Sequence, residues 1–172
     1  RVLKKSRAEK EKIDIEYLIC GNGAAELIFA VVQAEKPKKA LLLAPGFAEY
    51  EQALRGLGCE VLFYQLKKEN NFRYEKEYKN HLTAELDMIF LCNPNNPTGL
   101  LIPQEEILEI LQICQKNHTR VVLDSCFIDF LEEKEKADFV RYLDEFANLF
   151  ILKAFTKIYA MAGLRLGYGM SS

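Results

Sequence analysis

Residues 88–99 read MIFLCNPNNPTG, and this stretch carries the clearest structural signal in the chain. It starts with an uninterrupted apolar run, which is typical of a strand covered on both faces in a parallel sheet. The run is followed by asparagine, proline and glycine, which favour turns because of their backbone preferences. The stretch therefore predicts a buried strand, Met88–Cys92, that ends in a stiff loop.

The segment after this loop predicts a helix and then a second buried strand. Pro103 suits the first position of a helix, and the acidic residues behind it stabilise the positive end of the helix dipole. Apolar residues then recur with the helical period as far as Asn117. The apolar run Val121–Leu123 comes next, so residues 88–123 are predicted to form a strand–helix–strand unit.

The same alternation extends in both directions from this unit. Further strands are predicted at Tyr17–Cys20, Ala40–Ala44, Val61–Tyr64, Leu149–Leu152 and Leu164–Gly169. Further helices are predicted at Ala24–Gln33, which is apolar nearly all round and so expected to be deeply buried, and at Glu49–Leu57 and Asp138–Ala147. The pattern predicts an α/β fold with a doubly wound, mostly parallel sheet of about seven strands, which binds ligands at the carboxyl ends of its strands.

The overall composition limits the classes of partner. The 23 basic and 25 acidic side chains give a formal net charge of −2, so we expect neither nucleic acid nor an anionic membrane as a partner. No apolar run is long enough to cross a bilayer. The cysteines are odd in number and none forms a C-x-x-C pair, so we expect no disulfide framework, no metal site and a reducing cytoplasm.

Polar side chains follow two of the predicted strands at the edge where a ligand is expected. Asp124 closes the run Val121–Leu123, and a carboxylate in that position is costly unless it is paired. Taken alone, a helix cap or a structural ion pair is the commoner explanation for such a residue. Two lysines, Lys153 and Lys157, follow the strand Leu149–Leu152 and compete for a chemical role.

The segment Gly21–Glu26 joins the first predicted strand to the first helix. Free backbone amides at the start of a helix bind phosphate, and small residues there let the phosphate come close. The segment also resembles a weak dinucleotide fingerprint, Gly-x-Gly-x-x-Glu. Its third small residue is missing and no acidic residue closes the next strand at Ala44, so a phosphate cup formed by Gly23, Ala24 and Ala25 is favoured.

The order and spacing of these motifs resemble the aspartate-aminotransferase fold family of pyridoxal-phosphate (PLP) enzymes, the class I and II aminotransferases. The resemblance covers nearly the whole chain and is strongest over Gly21–Gly169. It implies PLP as the cofactor. It also implies that Asn96 donates its side-chain amide to the phenolate oxygen of PLP. Asp124 is implied to keep the pyridine nitrogen protonated, as PLP chemistry requires.

The resemblance separates the two lysines. Lys157 follows a hydroxyl residue and precedes the Gly-x-Arg-x-Gly motif, residues 163–167, at the spacing of the family. It is therefore implied to form the Schiff base with PLP and to move a proton at the substrate. Lys153 matches a position that the family does not use for catalysis.

The phosphate of PLP is implied to bind at three places. Arg165 matches the family arginine, whose guanidinium fork fits phosphate oxygens, and its apolar neighbours Leu164 and Leu166 predict a half-buried setting. Thr156 is implied to add a hydroxyl. The cup at Gly23, Ala24 and Ala25 is implied to supply backbone amides.

Two aromatic residues complete the implied cofactor site. Phe47 matches the residue that stacks on the pyridine ring, although core packing is the commoner fate of a phenylalanine. Phe127 stands where most members have a tyrosine that gives the phenolate oxygen a second hydrogen bond. The chain departs from the family here, and also at Ala154 and Ser125, where a hydroxyl residue and a glutamate are usual.

The resemblance leads to these expectations about function. Residues 1–172 are expected to form the PLP-binding large domain of a homodimeric enzyme, without the N-terminal arm and the small C-terminal domain that binds the substrate carboxylate. The resemblance implies decarboxylation of a phosphorylated amino acid, L-threonine-O-3-phosphate; the alternative is transamination of histidinol phosphate or of another amino acid. Two other classes remain open: a PLP-binding domain without full activity, and a nucleotide-binding α/β domain.

Overall fold

One sheet of seven strands organises the protein in the computed structural model, which describes residues 2–172. Arg1, the first residue of the expected domain, lies outside the described residues. The strands are β1 (Leu18–Asn22), β2 (Lys39–Ala44), β3 (Glu60–Gln65), β4 (Met88–Cys92), β5 (Arg120–Asp124), β6 (Leu149–Ala154) and β7 (Leu166–Met170). Their order is β1-β7-β6-β5-β4-β2-β3, and β7 runs antiparallel to both of its neighbours. The predicted mostly parallel, seven-stranded sheet is confirmed.

Helices cover both faces of this sheet. They are α1 (Val2–Glu11), α2 (Gly23–Glu35), α3 (Ala48–Gly56) and α4 (Gln104–Lys116). Buried side chains of α2 and α3 share one apolar cluster with alternate residues of the sheet, such as Val122. The next residue, Leu123, belongs to a second cluster on the other face, with α4 and with Leu3 of α1. The fold is therefore doubly wound, as predicted.

The predicted helix Asp138–Ala147 is wrong. This segment contains only a short 3-10 turn, Val140–Tyr142, between other turns. The Asp138 side chain accepts a hydrogen bond from the Val140 amide at 3.1 Å, a local bond that competes with helix formation. The apolar side chains with helical spacing are still buried in the core, namely Phe139, Val140, Leu143 and Phe146.

The prediction that the helix at Ala24–Gln33 is deeply buried holds for one side only. On α2, Leu27, Ile28, Val31 and Val32 pack into the core. Phe29 lies on the side turned away from the sheet and is 42% exposed. An all-apolar sequence shows no polar stripe, so periodicity could not tell which side faces the sheet.

The connectivity gathers several loops at one edge. The parallel strands β2, β4, β5 and β6 all end at this edge, and the antiparallel β7 begins there. β1 is antiparallel to β7 and so ends at the same edge before α2 starts. No helix in residues 2–172 is both long and apolar enough to cross a membrane.

Candidate active site

A cavity opens at the carboxyl edge of the sheet, on the face covered by α2 and α3. The empty space within it, counted together with the open space at its mouth, is about 620 Å³. The structure brings together all ten residues that the sequence predicted for the site. They are Gly23, Ala24, Ala25, Phe47, Asn96, Asp124, Phe127, Thr156, Lys157 and Arg165.

The alternation of side chains along the strands explains how the cavity acquires its carboxylate. Along β5, Val122 and Asp124 point to the side of α2 and α3, whereas Leu123 points to the opposite side. Asp124 is the last residue of the strand and is 5% exposed. Its carboxylate therefore lies on the inner wall of the cavity.

Both oxygens of the Asp124 carboxylate accept a hydrogen bond from the protein. Oδ2 accepts from the Tyr50 hydroxyl at 2.6 Å, and Oδ1 accepts from the Cys126 backbone amide at 3.0 Å. A carboxylate offers about four acceptor positions, so each oxygen keeps a further lone pair. The charge is thus partly compensated within the fold, while acceptor capacity remains for another donor.

Tyr50 is a cavity residue that the sequence reasoning missed. It falls within the predicted helix Glu49–Leu57, lines the cavity and is 4% exposed. A buried tyrosine hydroxyl usually finds a partner, and Tyr50 lies one helical turn after Phe47, so these two signals could have indicated its role. Burial, together with the nearby Asp124 charge, raises the pKa of Tyr50 well above its usual value, so the hydroxyl stays a donor.

Other cavity residues were also absent from the predicted site. Burial and the charge of Asp124 raise the pKa of the Cys92 thiol to about 12, so Cys92 remains neutral. No motif in the sequence indicated that a cysteine would line the cavity. The remaining additional lining residues are Ile28, Glu49, Cys126 and Ala154.

The two lysines that competed for a chemical role lie in different environments. Lys153 is in β6, on the side of α1, where its amine lies 2.9 Å from Glu11 Oε2 and 3.2 Å from Asp138 Oδ2. Lys157 follows the strand, is exposed and lines the cavity, and its amine lies 5.5 Å from the centroid of the Phe127 ring. Of the two, only Lys157 lines the cavity at the carboxyl edge of the sheet.

Arg165 lies against the start of α2. A Cβ atom added to Gly23 would come within 3.3 Å of Arg165 Nη2, so the guanidinium rests beside the first residue of this helix. Gly23 has a φ of +84°, which favours glycine. The expectation that Arg165 is half-buried is wrong: it is exposed, and its neighbour Leu164 is also 61% exposed.

The first turn of α2 keeps its amides free for a ligand. The side chain of Asn22, which precedes the helix, makes no capping hydrogen bond. Glu26 instead turns back and accepts from the Asn22 backbone amide at 2.6 Å. Gly167 of β7 packs so closely that an added Cβ would lie 2.5 Å from the Ala24 nitrogen. A helix start with open amides and an adjacent guanidinium is a site for a phosphate or another anion.

The loop after β4 is braced by its own polar groups. The Asn95 side chain donates to Thr98 Oγ1 at 3.0 Å and to the Pro45 carbonyl at 3.2 Å, which ties the loop to the end of β2. Asn93 Oδ1 accepts from the Ile102 amide at 2.8 Å. These bonds fix the loop on both sides of Asn96, which lines the cavity.

The chain is similar to known proteins over nearly its whole length. The family model described as aminotransferase class I and II matches residues 2–172. The threonine-phosphate decarboxylase of Salmonella typhimurium is 37% identical over 171 residues, 99% of this chain and 46% of that protein. The histidinol-phosphate aminotransferase of Ruminiclostridium cellulolyticum is 35% identical over 174 residues, 99% of this chain and 47% of that protein.

Solved structures show the same similarity. The crystal structure of L-threonine-O-3-phosphate decarboxylase from Porphyromonas gingivalis superposes with a TM-score of 0.82 at 29% identity, covering 99% of this chain and 49% of that one. The chain spans about half the length of the curated relatives it matches. Since the family model covers residues 2–172, this chain belongs to the class I and II aminotransferases, a family of PLP-dependent proteins.

Proposed function

We propose that this chain forms the cofactor-binding core of a PLP-dependent enzyme acting on a phosphorylated amino acid, and that the reaction is decarboxylation of L-threonine-O-3-phosphate. The observation that carries the cofactor site is the convergence of Asp124, Asn96 and Lys157 on one cavity. The choice of reaction is supported by the similarity to threonine-phosphate decarboxylases.

The start of α2 fits the phosphate group of PLP. The open amides at Gly23, Ala24 and Ala25 and the adjacent Arg165 offer donors of the kind that phosphate oxygens accept. The close packing of Gly167 keeps the helix start against β7. Thr156, which also lines the cavity, would add its hydroxyl.

The walls of the cavity fit an aromatic ring with a basic nitrogen. Phe47 presents a flat apolar side chain, which suits stacking. Asp124 keeps acceptor capacity beside its two hydrogen bonds and would hold a protonated ring nitrogen. Asn96 would donate its amide to the phenolate oxygen. When bound, PLP supplies an electron sink for charge that develops at the α carbon of the substrate.

Lys157 would hold the aldehyde carbon of the cofactor. Its amine lies at the end of an exposed side chain that borders the cavity and the Phe127 ring. An amine in this position can act as a nucleophile and can afterwards hold or move a proton at the α carbon of a substrate. Lys153 cannot serve in this way, because its amine is engaged by two carboxylates on the opposite face of the sheet.

The proposed reaction can be distinguished from its alternative by the product. We expect the full chain, supplied with PLP and L-threonine-O-3-phosphate labelled in its carboxyl group, to release labelled carbon dioxide. The second candidate is transamination of histidinol phosphate, which is favoured by the similarity to histidinol-phosphate aminotransferases. Formation of glutamate from histidinol phosphate and 2-oxoglutarate, without carbon dioxide release, would replace the decarboxylase proposal.

We also propose that the protein acts as a homodimer in the cytoplasm. Apolar side chains around residues 158–164 are exposed near the cavity, and they favour a covering partner: Ile158, Tyr159, Met161 and Leu164. All five cysteines are free, as in a reducing compartment. Sedimentation equilibrium of the full chain would test the dimer, and cell fractionation would test the compartment.

We predict that Phe127→Tyr shifts the pH titration of the bound cofactor's visible absorption to lower pH by about one unit. A tyrosine here would add a hydrogen bond to the phenolate oxygen. Because this bond draws negative charge from the oxygen, the proton on the nitrogen linked to Lys157 would be stabilised less and lost at a lower pH. One hydrogen bond of this kind is worth about 1 kcal/mol, close to one pH unit. Spectrophotometric titration of both proteins measures the shift.

Phe130→Tyr is the matched control for this prediction. The ring centroids of Phe130 and Phe127 are 6.1 Å apart, but Phe130 is 58% exposed and does not line the cavity. Its replacement should leave the titration midpoint unchanged. Identical midpoints in Phe127→Tyr and in the wild type would show that residue 127 does not reach the phenolate oxygen.

A further inference from the structure

Tyr50 forms part of the cavity wall and is held there by aromatic packing. Its ring stacks on Phe90, with centroids 4.7 Å apart and planes 17° apart, and its side chain is 4% exposed. The Phe47 ring meets it edge-on at 5.5 Å. Since α3 carries Tyr50 and begins directly after Phe47, the first turn of one helix links the proposed stacking residue to the tyrosine.

The Tyr50 hydroxyl limits how the Asp124 carboxylate can turn. The last torsion angle of an aspartate side chain is broad, so a carboxylate with few partners can rotate. Here the 2.6 Å hydrogen bond from Tyr50 to Oδ2 and the 3.0 Å bond from the Cys126 amide to Oδ1 define a plane for the group. Because the Tyr50 ring is itself packed against Phe90, this donor is a rigid one.

We propose that Tyr50 is a positioning residue, whose hydroxyl keeps a lone pair of the Asp124 carboxylate aimed at the ring nitrogen of PLP. This inference rests on the proposed function, since it assumes that PLP occupies the cavity. It adds a residue that the predicted site did not contain. Tyr50 acts through Asp124, and the effect is confined to ligands whose ring carries a protonated nitrogen.

The test compares two ligands on one variant. Tyr50→Phe keeps the packed ring and removes the hydroxyl. We expect this variant to bind PLP about tenfold more weakly than the wild type. The reason is that the Asp124 carboxylate would no longer be held in the direction of the ring nitrogen, which weakens a hydrogen bond between charged groups. Deazapyridoxal phosphate, in which a carbon replaces the ring nitrogen, should bind the two proteins within about twofold of each other.

The comparison separates positioning from a structural effect. Dissociation constants of both ligands are measured by fluorescence titration of the full apo chain. Any general loss of stability in Tyr50→Phe weakens both ligands alike, so it cancels in the ratio. Tyr78→Phe is the matched control, because Tyr78 is fully buried but lies outside the cavity; it should change neither constant.

The outcomes distinguish this inference from the proposed function. The positioning role is supported if the affinity for PLP, divided by that for deazapyridoxal phosphate, falls about tenfold in Tyr50→Phe and does not change in Tyr78→Phe. Equal weakening of both ligands, or no weakening, overturns that role while PLP binding by the wild type stands. If the wild type itself binds no PLP, the proposed function fails, and the role of Tyr50 fails with it.

Discussion

Replacing Lys157 with alanine will abolish the borohydride-stable attachment of PLP to this protein. Borohydride reduces the bond between the lysine nitrogen and the cofactor aldehyde to a stable amine, so the wild type should carry the label on one peptide. Lys157 borders the cavity, and its amine faces the Phe127 ring at 5.5 Å. Peptide mapping by mass spectrometry after reduction measures the result. Because Lys157 is also the proposed proton carrier, its loss should lower the rate of the proposed decarboxylation by at least about a hundredfold.

Lys153→Arg is the matched control for this experiment. Arginine keeps a cation between Glu11 and Asp138 but provides no amine for a Schiff base. The label should remain on the peptide that contains Lys157. A label on Lys153 in the wild type, or loss of labelling in Lys153→Arg with the fold intact, would reverse the assignment of the two lysines.

Replacing Lys153 with methionine will destabilise the fold by about 3 kcal/mol, at the low end of the range for breaking a buried ion pair. The Lys153 side chain is 8% exposed and that of Glu11 is 11% exposed, so the variant leaves a nearly buried carboxylate without its cation. Glu11 also accepts from the Tyr168 hydroxyl at 2.6 Å, which keeps it in place. The free energy of unfolding from urea titration measures the loss.

A double variant shows whether the loss comes from the unpaired charge. Lys153→Met combined with Glu11→Gln removes both charges of the Lys153–Glu11 pair, while the new amide still accepts from Tyr168. The double variant should therefore lose clearly less stability than the sum of the two single variants. Lys136→Met is the control for an exposed pair: its partner Glu133 is 71% exposed, and the loss should stay below about 0.5 kcal/mol. Simple additivity in the double variant would contradict the buried-pair explanation.

The positions of the two lysines show how the period of a strand determines chemistry. In β6, Lys153 follows Leu152, whose side chain packs on the side of α2 and α3, so Lys153 must point to the side of α1. The sequence placed both lysines near one strand end, and only the resemblance to the family favoured Lys157. The structure adds a physical reason, because α1 supplies Glu11 as a partner from 142 residues away in the sequence.

The turns at residues 138–147 show where the sequence was insufficient. The spacing of Phe139, Val140, Leu143 and Phe146 matches a helix. The backbone instead forms turns, and these turns direct all four side chains into the core. Burial depends on the direction of each side chain, and several backbone paths give the same directions over a short segment. Local hydrogen bonds, such as the one from the Val140 amide to Asp138, then determine which path is taken.

The sequence by itself determined the class of the fold, the mostly parallel sheet and the edge at which a ligand would bind. Apolar runs and strand–helix alternation depend on local burial, which a linear pattern records. Only the tertiary structure decided that Tyr50 donates to Asp124, that Glu11 and Asp138 engage Lys153, and that Phe29 faces away from the sheet. These features join residues that are distant along the chain, or depend on which side of an element is covered, and no local pattern carries that information.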